Sequence, residues 1–187
     1  MKSKTKPFLI IIDGQMGTGK TTTSKLLNEK LEGSARIALG DLRKFISGNK
    51  EDPLYNQTSQ EIGREILMVL INEYLKRKVS VVVEWATNVV IDWKMKKQHT
   101  EIFAKIAKKN SARLFIYQLD APKSVLIKRV KERTKLILNK SKLPKRNAEN
   151  VERNFENHYT FHVKSKYNNS ILLNSETLNP EQIANKI

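Results

Sequence analysis

The sequence predicts an α/β fold in which a parallel β-sheet is covered by helices on both faces. Short apolar runs alternate with longer segments of helical periodicity, the pattern of repeated strand–helix units. The first run, Phe8 to Ile12, has five consecutive apolar residues, as expected for a strand buried on both faces of such a sheet. A length of 187 residues, without an internal repeat or low-complexity tract, indicates a single domain over residues 1–187.

Each element rests on a local pattern. Leu26, Leu27 and Leu31 repeat at helical spacing after the first strand, and Thr58 and Glu61 have capping-box spacing ahead of a longer helix. The predicted strands are Phe8 to Ile12, Ala35 to Leu39, Val79 to Val83, Arg113 to Leu119 and Ser170 to Leu173. The predicted helices run from about Gly19 to Leu31, Ser59 to Lys76, Asp92 to Lys109, Pro122 to Leu138 and Ala148 to Val163, with a short one opened by Pro180.

The turn between the first strand and the first helix fits the pattern G-x-x-x-x-G-K-[ST] at every position. A loop of this kind turns tightly and points backbone N–H groups at an anion, and glycine permits both. Lys20 then supplies an ammonium for β- and γ-phosphate oxygens, and Thr21 supplies a hydroxyl of the kind that ligates Mg²⁺. The following helix directs its positive end at the same phosphates. The predicted nucleotide-binding residues are Gly14, Gln15, Met16, Gly17, Thr18, Gly19, Lys20, Thr21 and Thr22.

The net charge of +16 predicts attraction to polyanions such as nucleic acid, nucleotides or an anionic membrane. A lysine-rich surface can equally reflect the coding bias of the source, so the charge alone does not identify a partner. The chain has no cysteine, which is compatible with a reducing compartment. The first apolar run is too short for a signal peptide or a membrane span, so we expect a cytoplasmic protein without membrane insertion.

Charged residues follow several predicted strands at the edge of the sheet where ligands of open α/β folds bind. Asp41 can orient a hydroxyl acceptor, or it can cap the next helix. Arg43 beside it can hold a substrate anion, or remain a solvated charge. Glu84 follows a run of valines and suits an acidic residue that orients Mg²⁺ near the substrate, or pairs with a lysine. Trp85 can stack on a substrate ring, or pack in the core.

The segment from Lys123 to Arg146 carries ten cations against one acidic residue, Glu132. Arg129 and Arg133 are four residues apart and therefore share one face of the predicted helix. Cations aimed at developing charge assist phosphoryl transfer, so we predict a basic lid over about residues 123–147 that brings both arginines to ATP. The alternative is a solvated helix, but arginine rather than lysine at the repeated positions favours the lid.

The order of these motifs resembles that of the small P-loop kinases with an adenylate-kinase-like arrangement. The resemblance extends to polynucleotide 5′-kinases and to gluconate-kinase-like and zeta-toxin-like enzymes, and it covers most of the chain. It implies a P-loop three-layer α/β/α sandwich, with a five-stranded parallel sheet in the order 2-3-1-4-5 and a mobile helical lid. It also implies ATP and Mg²⁺ as cofactors, and a loop at Asn174-Ser175-Glu176 that lies against the adenine.

These features together predict a kinase that transfers the γ-phosphoryl group of ATP to a hydroxyl or phosphate acceptor. The acceptor would be a nucleotide, a polynucleotide 5′ end or another small molecule. The predicted catalytic residues are Lys20, Asp41, Arg129 and Arg133, with Arg129 also touching the cofactor; the metal residues are Thr21 and Glu84; the substrate residues are Asp41, Arg43, Glu84 and Trp85.

Two other functions stay open at this point. The first is a GTP-hydrolysing switch, although residues 139–142, Asn-Lys-Ser-Lys, lack the aspartate of the guanine-reading pattern Asn-Lys-x-Asp. The second is a nucleic-acid-binding module with a vestigial ATP site, for which the basic composition is the argument.

Overall fold

All strands of the central sheet are parallel, and the first strand lies in its middle. The structure is a computed structural model that describes residues 6–47, 57–85, 93–140, 155–156, 159 and 169–187. Its strands are β1 (Phe8–Gly14), β2 (Ala35–Ala38), β3 (Val81–Glu84), β4 (Arg113–Asp120) and β5 (Ile171–Asn174). Its helices in the described ranges include α1 (Lys20–Lys30), α2 (Leu39–Ser47), α3 (Gln57–Lys76), α4 (Trp93–Lys109), α5 (Lys123–Lys140) and α6 (Pro180–Lys186). The strand order, β2-β3-β1-β4-β5, confirms the predicted topology.

The position of β1 explains its uninterrupted apolar sequence. It pairs with β3 on one side and β4 on the other, so Ile10 lies opposite both Val82 and Phe115. Successive side chains of a strand point to opposite faces. Leu9 and Ile11 therefore belong to one hydrophobic cluster, while Ile10 and Ile12 belong to another. Both faces of the strand are buried, and its first polar residue is Asp13, next to its last residue.

Helices cover each face of the sheet and complete the three-layer arrangement. The first cluster joins the sheet to α3 and α4 through buried residues that include Leu67, Ile71, Leu75, Phe103 and Ala107. The second cluster joins the opposite face to α1 and α6 through Leu27, Ile183 and Ala184. A third, smaller cluster of Leu126 and Val130 from α5 with Ala121 and Phe155 packs against Met16, in the loop after β1. The helix α5 is thereby attached directly to that loop.

A short helix, α2, directly follows the second strand, at a place where the sequence analysis gave no bounds for a helix. The second strand ends at Ala38, and α2 begins at Leu39, so the prediction that the strand extends through Leu39 is wrong. The reason is packing against α3. Leu39 is buried and Leu42 is partly buried against the first cluster, and Leu39 and Ile46 contact the position of Gly63. These apolar residues have the spacing of one helical face, which tertiary contact stabilises.

Two predicted features lie only partly within the described residues. Of the predicted helix from Ala148 to Val163, the structure describes residues 155–156 and 159, and these are helical. Of the predicted lid, residues 123–140 are described and form the continuous helix α5, while residues 141–147 lie outside the described ranges. Within those ranges, none of the helices combines the length and the apolar character that crossing a bilayer requires.

The buried face of α3 provides a test of the fold. Leu67 is fully buried, whereas Val69 on the same helix is 61% exposed. We expect Leu67→Ala to lower the free energy of unfolding by about 2–5 kcal/mol, because it leaves a cavity in the first cluster. The control Val69→Ala should change it by less than about 0.5 kcal/mol. Urea denaturation of both variants measures the difference, and equal effects would contradict the assigned face of α3.

Candidate active site

The loop after β1 approaches its neighbours so closely that two of its residues must be glycine. A Cβ on Gly14, which has φ of +152°, would lie 2.5 Å from the carbonyl oxygen of Leu119 in β4. A Cβ on Gly17, with φ of +85°, would lie 2.9 Å from the carbonyl oxygen of Leu126 in α5. Both backbone angles also lie in a region that side chains rarely adopt. The glycines therefore let the loop curl tightly between β4 and α5.

The Lys20 side chain folds back across this loop. Its Nζ donates to the carbonyl oxygen of Gln15 at 2.9 Å, and the Thr18 hydroxyl donates to the same oxygen at 2.7 Å. Burial lowers the pKa of the Lys20 ammonium from its ordinary value. The carboxylates of Asp13 and Glu84 oppose that shift, and the charge of Arg133 adds to it. The ammonium is thus partly desolvated while its hydrogen-bond partner is a neutral carbonyl, so a phosphate oxygen would bind it more strongly.

Gln15 supports the same conclusion about an anion. Its side chain is buried, and its Oε1 accepts from the Met16 N–H at 3.0 Å. The Nε2 donors have no hydrogen-bond partner in the part of the chain that is described. A buried donor without a partner is costly and suits a site that an acceptor-rich ligand completes. The residues present therefore fit a polyphosphate.

The residues predicted to hold the metal lie in direct contact. The Thr21 hydroxyl donates to Glu84 Oε1 at 2.5 Å, which joins the start of α1 to the end of β3. Both groups are oxygen ligands of the kind that Mg²⁺ prefers. Among the described residues, no group of three or more His, Cys, Asp or Glu side chains is arranged to hold a metal by itself. One hydroxyl and one carboxylate are a donor set that suits a Mg²⁺ bound together with phosphate groups.

Arg36 in β2 joins this site, although the sequence analysis did not select it. Its guanidinium bonds to Ser24 in α1, to Glu84 and to Asp41. Asp13 at the end of β1 was also missed; it is fully buried and raises the pKa of Lys20. Their positions in the sequence could have indicated both residues, because each lies on a strand whose carboxyl end meets the predicted site.

Asp41 and Arg43 lie on α2, at the outer side of the site. Asp41 is in the first turn of the helix, 60% of its side chain is exposed, and it pairs with Arg36 at 3.2 Å and Lys44 at 3.7 Å. The Arg43 stem lies against α3, 3.5 Å from where a Cβ on Gly63 would be. Arg64 of α3, which is only 6% exposed, was not predicted. Burial lowers the pKa of Arg64, Glu61 opposes this shift, and Arg43 adds to it.

Trp85 does not present a face for stacking, and we correct that prediction. Its side chain is only 1% exposed and belongs to the first hydrophobic cluster. The ring meets Phe103 of α4 edge to face, with centroids 5.2 Å apart. The core packing that the sequence analysis held as the alternative is what the structure has. The sheet fixes the backbone position of a residue at the end of a central strand, but not the direction of its side chain. The side chain of Trp85 turns inward toward α4.

The two arginines of α5 occupy different places. Arg129 reaches the loop, where its Nη2 donates to the carbonyl oxygen of Ser175 at 2.9 Å and its Nη1 approaches that of Gly17 at 3.4 Å. Arg133, one turn further along, is exposed, and its charge acts on Lys20. The contacts of Arg129 show that the first half of the predicted lid is packed on the loop.

Thr22 of the predicted loop is exposed at the start of α1.

A cavity of about 470 Å³ opens beside the loop, between α5 and the segment after β5. It is lined by Gly17, Thr18, Gly19, Arg129, Ser175, Glu176, Thr177, Leu178, Asn179, Pro180, Gln182 and Ile183. The segment predicted to lie against an adenine supplies part of the wall. Its turn is held by Asn174, whose Oδ1 accepts from the Glu176 N–H at 2.8 Å. The size suits a ring system, because ligand pockets have volumes of about 300–1,000 Å³.

The close approach of Gly17 to α5 gives a test of the loop. Gly17→Ala forces a Cβ against the Leu126 carbonyl, so we expect the loop to shift and ADP binding in the presence of Mg²⁺ to weaken about tenfold or more. Gly33→Ala is a matched control, since Gly33 also has a positive φ, +70°, but no atom within 4 Å of its Cβ position. Calorimetric titration with ADP compares the two; equal affinities would contradict the packing of the loop.

The lowered pKa of Lys20 predicts uptake of a proton when a phosphate binds. The pKa of Lys20 in the free protein lies below the ordinary value of 10.5. At a given pH, its amine therefore loses the proton more readily than that of an exposed lysine. A bound phosphate favours the charged form, so as the pH rises toward 10.5 ADP binding should draw a proton from the buffer. Calorimetry in two buffers of different ionisation enthalpy measures this uptake. The uptake should disappear in Lys20→Met, and uptake that persisted there would assign the proton to another group.

Comparison with known proteins places this geometry in a family. The sequence model described as AAA domain matches residues 10–157. No curated protein sequence matches the chain. A candidate kinase from Chloroflexus aurantiacus is similar in structure, with 15% identity, 97% of each chain covered and a TM-score of 0.67. APS kinase CysC from Mycobacterium tuberculosis, solved with AMPPNP and APS, is 12% identical over 97% of this chain and 95% of that one, with a TM-score of 0.63.

A third similar structure is shikimate kinase from Acinetobacter baumannii, solved with shikimate. It is 18% identical over 96% of this chain and 90% of its own, with a TM-score of 0.58. At these identities the likeness is one of fold. The match of the family model over most of the chain, together with the five-stranded parallel sheet, identifies the chain as a member of the AAA domain family with the fold of P-loop kinases.

Proposed function

We propose that the protein is an ATP- and Mg²⁺-dependent kinase that transfers the γ-phosphoryl group to a hydroxyl or phosphate acceptor. The observation that carries this proposal is the partly desolvated Lys20 ammonium, folded over a glycine loop and resting on a backbone carbonyl at 2.9 Å. The buried Gln15 amide, without a partner in the described ranges, adds a second donor for the same anion. Phosphoryl transfer is catalysed largely by positioning and charge, and these groups supply both.

Each group has a distinct role in this proposal. The loop residues 14–22 and Lys20 hold the β- and γ-phosphates, and the Thr21 hydroxyl with Glu84 holds Mg²⁺, which screens the phosphate charge when bound. The contact of 2.5 Å between Thr21 and Glu84 supports their assignment to one metal, because it brings both oxygens to the same point. The cavity between Arg129 and residues 175–183 is suited to the base and ribose.

The arginines of α5 serve the transferred group in this proposal. Arg129 is fixed by the Ser175 carbonyl and lies beside Gly17, at the side of the loop where the phosphate chain would run. Arg133 acts electrostatically on Lys20, so it lies within the field of the same phosphates. We propose that the part of α5 beyond Arg129 moves over the bound nucleotide and brings Arg133 to the charge that develops in transfer.

The acceptor is proposed to bind between Glu84 and α2. Asp41 points one carboxylate oxygen at Arg36 while most of the side chain faces solvent, so it can receive a hydrogen bond from an acceptor hydroxyl. Arg43 and the buried Arg64 add positive charge on the same side, which favours an acceptor that carries an anionic group. Exposed cations along α5, among them Lys128 and Lys135, make a nucleotide or polynucleotide acceptor the one we favour.

Lys20→Ala tests the proposed function. We expect the rate of transfer of the labelled phosphate to an accepted substrate to fall by about 10²–10³, because one preorganised cation is lost from the phosphates. Lys25→Ala on the exposed side of α1 removes the same charge and should leave the rate unchanged. The assay uses [γ-³²P]ATP and a panel of nucleosides, nucleotides, oligonucleotides and small hydroxy acids, with unfolding temperatures measured in parallel.

The same assay separates the alternatives. A kinase transfers the labelled phosphate to an acceptor from the panel, while a hydrolytic switch, assayed with [γ-³²P]GTP, releases it as inorganic phosphate regardless of the panel. A nucleic-acid-binding module with a vestigial site does neither and binds oligonucleotides with steep salt dependence. Full activity of the Lys20→Ala protein would contradict the proposed site.

A further inference from the structure

Arg36 connects two parts of the site that the chain supplies from different elements. It lies on β2, opposite Val82 of β3, and its side chain extends toward α1 and the carboxyl end of the sheet. The side chain is only 14% exposed. An arginine buried to this extent needs several acceptors, because most of its five donors are withdrawn from bulk water.

The three branches of the Arg36 guanidinium each have a different partner. Nε donates to the Ser24 hydroxyl of α1 at 2.8 Å, and Nη1 donates to Asp41 Oδ2 of α2 at 3.2 Å. Nη2 donates to Glu84 Oε2 at the end of β3. The planar guanidinium therefore contacts Ser24 in α1, Asp41 on the proposed acceptor side and Glu84 on the proposed metal side.

We propose that Arg36 is a positioning residue that holds Glu84 and Asp41 in a fixed relation, and so couples the metal side of the site to the acceptor side. This inference rests on the proposed function. Arg36 acts through the two carboxylates and does not itself reach the reacting atoms.

The hydrogen bonds of Glu84 give the first reason. Its Oε1 accepts from Thr21 and its Oε2 accepts from Arg36, with Ser24 at 3.3 Å. The Arg36 contact leaves Oε1 directed at the Thr21 hydroxyl, the other group that would hold the metal. Groups that orient a metal-binding carboxylate commonly change metal affinity or activity about 10- to 100-fold when removed.

Charge gives the second reason. Asp41 and Glu84 are two carboxylates held at one cation, and without that cation their charges repel and each is free to turn away. Lys44 can compensate for part of the loss at Asp41, since it lies 3.7 Å away on the exposed side. Arg36 pairs directly with Glu84, and without it the described contacts that orient this carboxylate are those of the Thr21 and Ser24 hydroxyls.

The geometry also requires arginine rather than lysine. The guanidinium presents donors in three directions of one plane, whereas an ammonium is a point charge on a flexible stem. A lysine at this position would keep the charge but could not reach α1, α2 and β3 with fixed angles. Arg36→Lys therefore separates the effect of charge from that of position.

The experiment measures how Mg²⁺ tightens the binding of ADP, which needs neither turnover nor a known acceptor. Affinity for ADP is determined with EDTA and across a Mg²⁺ series for the wild type, Arg36→Gln, Arg36→Lys and the control Arg113→Gln. Arg113 lies on β4, its side chain covers the Phe115 ring, and it is exposed, so the control removes the same charge away from the site.

We expect the Mg²⁺ concentration for half-maximal tightening to rise about tenfold or more in Arg36→Gln, with metal-free ADP affinity unchanged. Arg36→Lys should retain most of this defect, and Arg113→Gln should match the wild type. A normal Mg²⁺ requirement in Arg36→Gln, or full rescue by Arg36→Lys, overturns the inference. If Arg36→Gln does not fold, the Arg36→Lys result alone decides.

The coupling to Asp41 is tested by a double-mutant cycle on the same measurement. Asp41→Asn should raise the Mg²⁺ requirement in the wild-type background, because Arg36 loses one of its anchors, and should add nothing in Arg36→Gln. Additive effects would mean that Arg36 serves Glu84 alone, against the proposed coupling. If ADP binding shows no Mg²⁺ dependence in the wild type, the proposed function fails; if it does and the variants behave like the control, only this inference fails.

Discussion

The whole site depends on the close approach of the loop after β1 to β4 and α5. Carbonyl oxygens of Leu119 and Leu126 occupy the space that side chains on Gly14 and Gly17 would need. Backbone therefore packs on backbone, and the position of α5 follows from that of the loop. Arg129 is carried on α5 to the Ser175 carbonyl, which fixes one wall of the cavity. A single steric requirement thus determines where the cation, the loop and the cavity stand relative to each other.

Lys20 and Arg36, two cations of the site, have carboxylates near them before any ligand is present. Asp13 and Glu84 raise the pKa of Lys20 against the effect of its burial, and Arg36 stands between Glu84 and Asp41. Buried charges are tolerated only when they are paired or hydrogen-bonded. A phosphate that binds at Lys20 adds negative charge beside its ammonium. Glu84 also acts on that ammonium and contacts both Thr21 and Arg36, so the added charge also affects these two residues.

Much of the fold was predictable because its signals are local. The five strands are apolar runs, the loop is a contiguous pattern, and capping and periodicity mark the long helices. The bounds of the short helix α2 were not predicted, because Leu39 and Ile46 form a face only when α3 stands opposite them. Trp85 was misplaced for a similar reason: the end of a strand fixes where a residue is, and only the neighbouring Phe103 decides which way the ring turns.

The residues that the sequence did not reveal are those whose importance lies in their partners. Arg36 is one of many basic residues in the chain, and it becomes distinctive only when Ser24, Asp41 and Glu84 are brought around it. Asp13 follows five apolar residues and looked like the end of a strand, yet it is buried near Lys20. Residue type and spacing identify a binding site that lies within one contiguous segment. They do not identify residues such as Arg36, which connect several segments of the fold.

The packing of α6 bears on how the protein is made. Ile183 is fully buried in the cluster that contains Ile10, Ile12 and Leu27, and Pro180 lies 3.6 Å from where a Cβ on Gly19 would be. Contacts between residues so far apart in the chain are slow to form and cannot precede synthesis of the later segment. The cavity beside the glycine loop is therefore assembled late: on the ribosome, the loop emerges first but lacks its facing wall until residue 183 has been added.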